Sequence, residues 1–328
     1  AMGKYILRRF INYFILAFIA TVTAYIAASA FMDPAARYRG QNPPLSEASI
    51  QSILNGHGTN PDVPILQRTW AWLTNIFLHG DFGTTVNGSP VLTEIMTRAG
   101  VSLKLLLIGT LLGALLGVVL GVWGAVRQYK GSDQLVTYAS YLIIATPTFV
   151  IGVVLMILAT NFNNAVGDNL IRFTGEYTVD IDPGFFPWLA DQFSHMLLPT
   201  IALILMSAAT YSRYQRSVML DVLSSDFIRT ARSKGRTRRS ALIRHGVRVA
   251  LIPMSTYFAY AFGTLVAGSA MLEVVFSWKG MGEFTINSIL QSDINAAAGS
   301  VLFIAVLTLI SSTLSEVLYA ALDPRVRI

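Results

Sequence analysis

The residues best suited to chemistry form one basic segment, DFIRTARSKGRTRRSALIRHGVRVALIP, at positions 226–253. Eight of its first 23 residues are Arg or Lys. Clustered Arg and Lys bind phosphates, so the segment could serve nucleic acid on a water-soluble face or anionic lipid at a membrane. The elements that surround the segment decide between these uses.

No catalytic or metal-binding pattern accompanies the segment. There is no cysteine, and the four histidines, His57, His79, His195 and His245, are far apart with no HxxxH-type spacing. The phosphate-binding motif GxxxxGK(S/T), the zinc motif HExxH and the nucleophile motif GxSxG are absent as well. The sequence therefore predicts no catalytic residue, no metal site and no cofactor on this chain. A polytopic membrane enzyme would need polar residues clustered at one membrane face, and we find no such cluster.

The composition is that of a membrane protein. Of the 328 residues, 53% are apolar and 13% are charged, and the charged fraction of soluble proteins is about 25%. A membrane-crossing helix needs about 20 mostly apolar residues. Six segments meet or nearly meet this requirement, so we predict an all-α polytopic fold with six transmembrane helices. They lie at about 10–31, 101–126, 135–160, 196–218, 249–275 and 298–321.

The distribution of charge predicts the orientation. Basic residues are retained on the cytoplasmic side, and placing both termini there puts 17 of the 24 Lys and Arg on that side. Each basic residue at mid-membrane costs roughly 2.5–3.5 kcal/mol, so the eight of the basic segment would oppose insertion by about 20 kcal/mol. Residues 221–248 are therefore predicted to form a cytoplasmic loop between spans four and five.

The same reading divides the chain into regions. We expect a cytoplasmic N-terminus with an uncleaved first span (1–31), an extracytoplasmic loop or cap (32–98), a core of five spans (99–321) and a cytoplasmic tail (322–328). Prolines interrupt the region 32–98, in which we expect short helices at 46–54 and 66–78.

Two patterns inside the spans concern helix packing. Gly109, Gly113, Gly117 and Gly121 are spaced by four, which places them on one helix face where another backbone can approach closely. This face is either a seam at a moving interface or static packing in the bundle. Pro147 falls inside the third span and predicts a kink there.

The basic loop itself predicts two helices. Ser224, Ser225 and Asp226 are N-terminal capping residues, and Gly235 can end the first helix. Phe227, Ile228 and Ala231 would then share one side of that helix. The second, basic helix would cover about 237–249. An amphipathic helix of this kind either enters a groove on a partner protein or lies on the anionic inner leaflet, and the residues favour neither reading.

The loop also resembles that of a known family. The segment 226–253 is similar to the cytoplasmic loop of ABC importer permeases in their peptide-transporter form, with Gly235 at the characteristic glycine. Arg229-Thr230-Ala231 stands where the general pattern has Glu-Ala-Ala. The resemblance extends over nearly the whole chain, to the B-type permease subunit of oligopeptide and dipeptide importers. It includes RRF at the start, GDFGTT (80–85), ATPTFV (145–150), LLPTIAL (197–203), EVVFSWKGMGEF (273–284) and LYAALDPRVRI at the end. Within the motif 273–284 the family usually has Pro at position 279, where Lys stands. Beyond that motif it usually has Asp-Tyr-Pro at 293–295, where this chain has Asp-Ile-Asn.

This resemblance implies a type I ABC importer permease in the bacterial inner membrane. The chain would pair with a second, homologous permease subunit, two cytoplasmic ATPase subunits that bind ATP and Mg²⁺, and an extracytoplasmic peptide-binding protein. Peptide would be the substrate and the lipid bilayer the surroundings, with no nucleic acid partner. The loop helix would be the coupling helix that seats in the ATPase. The residues implied in coupling are Asp226, Phe227, Ile228, Arg229, Thr230, Ala231, Arg232, Lys234 and Gly235.

Other functions fit parts of the sequence. A self-sufficient channel or secondary carrier would bind only lipid through the basic loop. Within the same family, nickel, glutathione or another small solute could replace peptide as the cargo.

Overall fold

A computed structural model describes residues 2–327, without the side chains of residues 260, 263, 264, 326 and 327. Within this range the regular secondary structure is helical, apart from an isolated β-bridge between Thr84 and Pro90. A π-helical turn, Leu242–Gly246, joins the tenth α-helix to the eleventh, and a 3₁₀ turn, Pro324–Arg327, follows the last. The α-helices are α1 (Met2–Phe31), α2 (Ala36–Arg39), α3 (Glu47–His57), α4 (Ile65–His79), α5 (Val91–Val126), α6 (Gly131–Ala145), α7 (Thr148–Val166), α8 (Phe185–Leu223), α9 (Asp226–Ser233), α10 (Arg238–Ala241), α11 (Val247–Val275), α12 (Met281–Leu290) and α13 (Ile294–Leu322).

Five helices of the described chain are long and apolar enough to cross a membrane, namely α1, α5, α7, α8 and α13. The first of these candidates continues through α2 to Arg39. The fifth predicted span, 249–275, corresponds to α11, in which the apolar stretch among the described residues is the shorter Leu265–Val275. The prediction of an all-α polytopic membrane protein is confirmed, whereas the side on which the termini lie stays a prediction.

The third predicted span, 135–160, is not one helix. Helix α6 ends at Ala145, Thr146 is extended with φ −90° and ψ 129°, and α7 begins at Thr148. The residue before a proline is driven out of the helical region by the proline ring, and proline itself has no amide hydrogen to donate. Pro147 therefore lies at a break between two helices, as the N-cap of α7, and not at a kink inside one.

The chain divides into two compact units. The first comprises Ala1–Arg9, Leu103–Trp278 and Ser311–Ile328. Within it, α8 packs against α6, α7 and α11. The second comprises Phe10–Ser102 and Lys279–Ile310.

The second unit contains the whole region 32–98, and two short helices there confirm the predictions made for that region. The helix expected at 46–54 is α3, whose N-cap Ser46 accepts a hydrogen bond from the amide of Ser49. The helix expected at 66–78 is α4, and its Trp72 stacks on Tyr25 with ring centroids 4.3 Å apart.

The start of α13 is tied to a loop of the same unit by two polar side chains. Asp293 accepts a hydrogen bond from the amide of Val86 at 3.0 Å, and Asn295 donates to the carbonyl oxygen of Thr84 at 3.2 Å. Asp293 lies just before α13, and its burial raises the pKa of its carboxyl group. The unusual Asp-Ile-Asn sequence thus supplies hydrogen bonds between segments distant in the sequence.

Candidate functional site

The basic loop contains the predicted short helix, which runs over Asp226–Ser233 as α9. Ser225 is the N-cap residue and is extended, but its hydroxyl donates to the carbonyl of Val222 and not to the helix. An aspartate in the first turn faces the positive end of the helix dipole. Gly235 follows the helix with φ +87°, a backbone conformation that favours glycine. The residues at the two ends of α9 therefore account for where the predicted helix begins and ends.

One side of α9 is packed on the chain itself. Ile228 is only 2% exposed and lies in a hydrophobic cluster with Met219 and Val222 from the end of α8 and Leu242 from the π-helical turn. Ala231 packs against the same cluster. The inward direction of the helix therefore lies between Ile228 and Ala231.

Phe227 differs from the prediction that placed it with Ile228 and Ala231. Its side chain is 40% exposed. At 100° per residue, Phe227 falls to one edge of the inward side, so only part of its ring can be covered by the cluster. Aromatic side chains are enriched among the residues that anchor protein–protein interfaces.

The charged residues of α9 project away from the cluster. The side chains of Asp226 and Arg229 are 94% and 77% exposed, and their closest charged atoms are 3.5 Å apart. An ion pair so exposed contributes little stability. Arg232 and Lys234 are exposed as well. Together with Phe227 they form an outer surface that the folded chain does not need for its own packing.

The second basic helix predicted at 237–249 is not a separate element. Helix α10 begins at Arg238, after Thr237 caps it by accepting from the amide of Ser240, and it passes through the π-helical turn into α11. Pro253, expected at the start of span five, lies inside α11. The basic residues 238–248 thus extend a long helix that leads into the membrane.

The cluster that holds Ile228 also connects α9 to the predicted glycine face. It includes Ala125, which lies on α5 four residues after Gly121. Each of the four glycines meets α8: Gly109 faces Leu203, Gly113 faces Ser207, Gly117 faces Tyr211 and Gly121 faces Gln215. The glycine face is therefore a seam between α5 and α8, and α9 rests on the ends of these two helices.

The approach along this seam is close enough to exclude side chains. A methyl carbon placed on Gly117 would lie 2.7 Å from Cβ of Tyr211 and 3.0 Å from the carbonyl oxygen of Ala208. One placed on Gly121 would lie 2.7 Å from both Cβ of Gln215 and the carbonyl oxygen of Ser212. Glycine is required because the α8 backbone occupies the space that a side chain would need.

An ion pair that the sequence analysis missed pins α6 to α8 near the loop. Asp133 accepts two hydrogen bonds from Arg216, both at 2.8 Å, and a third from the amide of Tyr129 at 3.0 Å. The carboxylate is 3% exposed. The hydrogen bonds from Arg216 hold the pKa of Asp133 below its usual value. An arginine within an otherwise apolar helix indicates that a partner exists, but that partner lies 83 positions away.

Pro147 belongs to neither α9 nor the seam. It marks the break before α7, whose first residue, Thr148, directs its hydroxyl to Met206 of α8 at 3.2 Å. The residues singled out in the sequence thus lie in three places of the first unit. Two of them, α9 and the glycine seam, are joined through the ends of α5 and α8.

The described chain combines several helices that are long and apolar enough to cross a membrane with a short, exposed basic helix, and comparison of the sequence with known proteins identifies its family. Residues 113–328 match the family model described as the binding-protein-dependent transport system inner membrane component. The chain belongs to this family and is a multi-pass protein of the bacterial inner membrane.

Several relatives match over the full length. The oligopeptide transport system permease protein OppB of Mycobacterium tuberculosis is 44% identical over 327 residues, which cover 100% of both chains. The oligopeptide transport system permease protein AppB of Bacillus subtilis is 32% identical over 329 residues, covering 99% of both chains. The glutathione transport system permease protein GsiC of Salmonella typhimurium is 30% identical over 329 residues, again 99% of both.

Proposed function

We propose that the chain is the B-type permease subunit of an ATP-driven importer of oligopeptides or dipeptides. It would form half of the translocation pathway and would not hydrolyse ATP itself. Two cytoplasmic ATPase subunits would bind ATP and Mg²⁺, and a second, homologous permease subunit would form the other half of the pathway. An extracytoplasmic binding protein would deliver the peptide. Both termini and α9 would lie in the cytoplasm.

The observation that carries this proposal is the packing of α9 against the ends of α5 and α8. Its inner side chain, Ile228, packs directly on Met219 and Val222 of α8 in a cluster that also includes Ala125 of α5. The glycine seam holds these two helices together. A partner that gripped the exposed side of α9 would therefore move α5 and α8 as a pair, which is what a coupling helix must do.

The choice of peptide as cargo rests on the names of the relatives. The relative at 44% identity is named for oligopeptide transport, and the relative at 30% is named for glutathione transport. Glutathione is itself a small peptide, so the two names describe related chemistry. Competition between a labelled tetrapeptide and unlabelled glutathione for uptake would separate them. We expect the tetrapeptide to enter and a hundredfold excess of glutathione to leave its uptake unchanged.

The subunit composition can be tested by affinity purification of the tagged chain from its native membrane, followed by mass spectrometry. We expect one copy of the second permease and two ATPase subunits to co-purify with each copy of this chain. A self-sufficient channel or secondary carrier would instead purify alone. Peptide transport into vesicles that contain only this chain, without ATPase subunits, would refute the proposal.

Coupling can be tested with Gly235→Pro. Proline fixes φ near −65°, whereas Gly235 has φ +87°, so the end of α9 would be displaced while the membrane helices remain intact. We expect normal insertion, continued ATP hydrolysis and loss of uptake. Ala231→Arg is a weaker test because Ala231 packs against the chain's own cluster. Unchanged uptake in Gly235→Pro would contradict the role given to α9.

A further inference from the structure

A groove lies beside the basic loop, between the last turns of α5 and the segment that leads from α10 into α11. Its volume is about 630 Å³, within the range of small-molecule sites. Most of its lining is aliphatic. The aliphatic residues include Val118, Val122 and Val126 on α5 and Leu242, Ile243 and Val247 on the facing segment.

The groove occupies the side of α5 opposite the glycine seam. At 100° per residue, positions 119, 123 and 126 face away from Gly117 and Gly121, and positions 118 and 122 lie to one side of the seam. Val119 is 55% exposed and Ile243 is 61% exposed. Among the described residues no side chain fills this space, although α5 is one of the candidate membrane-spanning helices. The apolar walls are therefore open to the surroundings of the chain, and the wall on α5 belongs to a helix that is apolar enough to lie in the hydrocarbon of the bilayer.

Two arginines line the same groove. Arg127 follows the last residue of α5 directly, and Arg239 lies in α10. The guanidinium of Arg127 lies over the ring of Trp123, with its carbon 5.5 Å from the ring centroid. Within residues 2–327, neither arginine has a carboxylate oxygen within 4.0 Å. Two cationic groups without carboxylate partners thus stand at the end of an apolar groove.

We infer that this groove binds an anionic phospholipid. Its acyl chain would lie along the valines of α5 and the facing Leu242 and Ile243, and its headgroup phosphate would accept hydrogen bonds from Arg127 and Arg239. Tryptophan is enriched at the level of lipid headgroups, which suits the position of Trp123. Basic pockets between membrane helices are typical sites for such headgroups.

The depth of the groove favours lipid over a water-soluble protein. Nine residues separate Val118 from Arg127, which is about 13 Å along a helix. The apolar wall therefore extends from the arginines well into the membrane-crossing part of α5. An acyl chain can follow such a wall, whereas a cytoplasmic protein can reach only its charged end.

The groove also shares a residue with the hydrophobic cluster on which α9, the candidate coupling helix, packs. Leu242 lines the groove and also belongs to the cluster that buries Ile228 of α9. A bound lipid would therefore support the position of α9 from behind. This consequence, unlike the lipid site itself, rests on the proposed function.

Native mass spectrometry of the purified complex can test the site with added phosphatidylglycerol and, in parallel, phosphatidylcholine. We expect phosphatidylglycerol to be retained in preference. The double variant Arg127→Gln/Arg239→Gln should reduce its retention at least tenfold. The control Lys130→Gln/Arg238→Gln removes the same charge from neighbouring positions outside the groove and should retain the lipid. Equal loss in both double variants, or equal retention of both lipids, would overturn the inference.

A second experiment uses the unaltered protein, so it does not depend on the folding of a variant. The complex is placed in vesicles of three parts phosphatidylcholine to one part phosphatidylglycerol that carries a photoreactive group on its acyl chain. We expect adducts concentrated at 118–123 and 242–247. An absence of adducts at these residues, or adducts spread evenly over the membrane helices, would show that lipid does not occupy the groove. Neither experiment needs transport, so the lipid site and the proposed function can fail separately.

Discussion

The glycine seam and α9 are two regions of one unit that are held in opposite ways. Along the seam, α5 and α8 approach so closely that no side chain fits at Gly117 or Gly121. Helix α9 has eight residues, and Ile228 is the only one that is fully buried. The seam has no surface left for a partner, whereas most of α9 is surface.

This difference assigns a role to each region. Close packing of backbones makes α5 and α8 a pair that moves together, because any shift along the seam meets steric overlap. Helix α9 is held to the chain through Ile228 and Ala231, and its exposed charges and aromatic ring leave a surface open to a partner. The contrast favours static packing for the glycines and a docking role for α9. Substitutions in the glycine seam should therefore reduce the stability of the fold, whereas substitutions on the exposed side of α9 should reduce binding of a partner.

The largest effect is expected for Gly117→Leu. The new side chain would enter space already held by Cβ of Tyr211 and the carbonyl oxygen of Ala208. Overpacking by even one or two carbons costs about 1–3 kcal/mol, and here the obstacle is backbone, which cannot rotate away. We expect little folded protein, measured as the monodisperse yield after detergent extraction.

A glycine elsewhere on α5 provides the control for this substitution. A methyl carbon on Gly100 would meet no atom within 4 Å. Gly100→Ala should therefore leave the yield unchanged or slightly raise it, because alanine favours the helix by about 1 kcal/mol. A normal yield of Gly117→Leu would mean that the seam opens readily, and the contrast with α9 would be lost.

The next effect concerns the ion pair that fixes α6 to α8. Asp133→Asn removes the charge that Arg216 contacts and leaves the guanidinium partly buried. Breaking a buried pair costs about 3–5 kcal/mol, and we expect about 2–3 kcal/mol here because the arginine is 24% exposed. Thermal unfolding in detergent would measure the loss. Arg213→Gln, a substitution on α8 that leaves the Asp133 pair intact, is the control.

The same pair predicts a dependence of stability on pH. Since Arg216 lowers the pKa of Asp133 in the folded state, the pair stabilises the fold fully above the ordinary pKa of aspartate, about 3.9. This contribution is lost as the pH falls below that value through the lowered pKa. The Asn variant should lack this acid-side loss. An identical decline in both proteins below about pH 4 would assign the acid sensitivity to other carboxylates.

On α9 the expected effect changes from stability to binding. Phe227→Ala removes a ring that is 40% exposed, so the melting temperature of the isolated chain should stay within about 2 °C. If the ring anchors a partner, its loss should weaken binding of the ATPase by about tenfold, which is typical of an aromatic hot spot. Pull-down of the ATPase with purified chain would measure it. Ile228→Ala is the contrasting variant and should reduce stability first.

Much of this organisation could be predicted from the sequence because it depends on local patterns. Long apolar runs predicted the membrane helices, capping residues predicted α9, and the spacing of Gly109 to Gly121 predicted a packed helix face. The break at Pro147 was also encoded locally, since the residue before a proline avoids the helical region. The continuous apolar run on both sides concealed it.

The sequence could not show which segment of the chain each of these patterns contacts in the fold. The glycine spacing does not specify that α8 is the opposing helix, and nothing near Arg216 points to Asp133. Likewise, the apolar residues of α9 fall within one arc, but periodicity alone does not specify which part of that arc is buried. Phe227 was placed with Ile228 for this reason, and only the position of Met219 and Val222 separates them.

The smallest effect is expected for the charges on the outer side of α9. Arg229→Gln/Arg232→Gln removes two exposed guanidiniums, and the Asp226–Arg229 pair is too exposed to stabilise the helix. Charges at the rim of an interface act mainly on the association rate and on its dependence on salt. We therefore expect ATPase binding to weaken by less than about threefold at physiological salt, and its decline with rising salt to become shallower. Binding rates measured at low and high salt would show this. If the double variant instead abolished binding while Phe227→Ala had no effect, α9 would dock through its charges, and the aromatic edge would have no part in the interface.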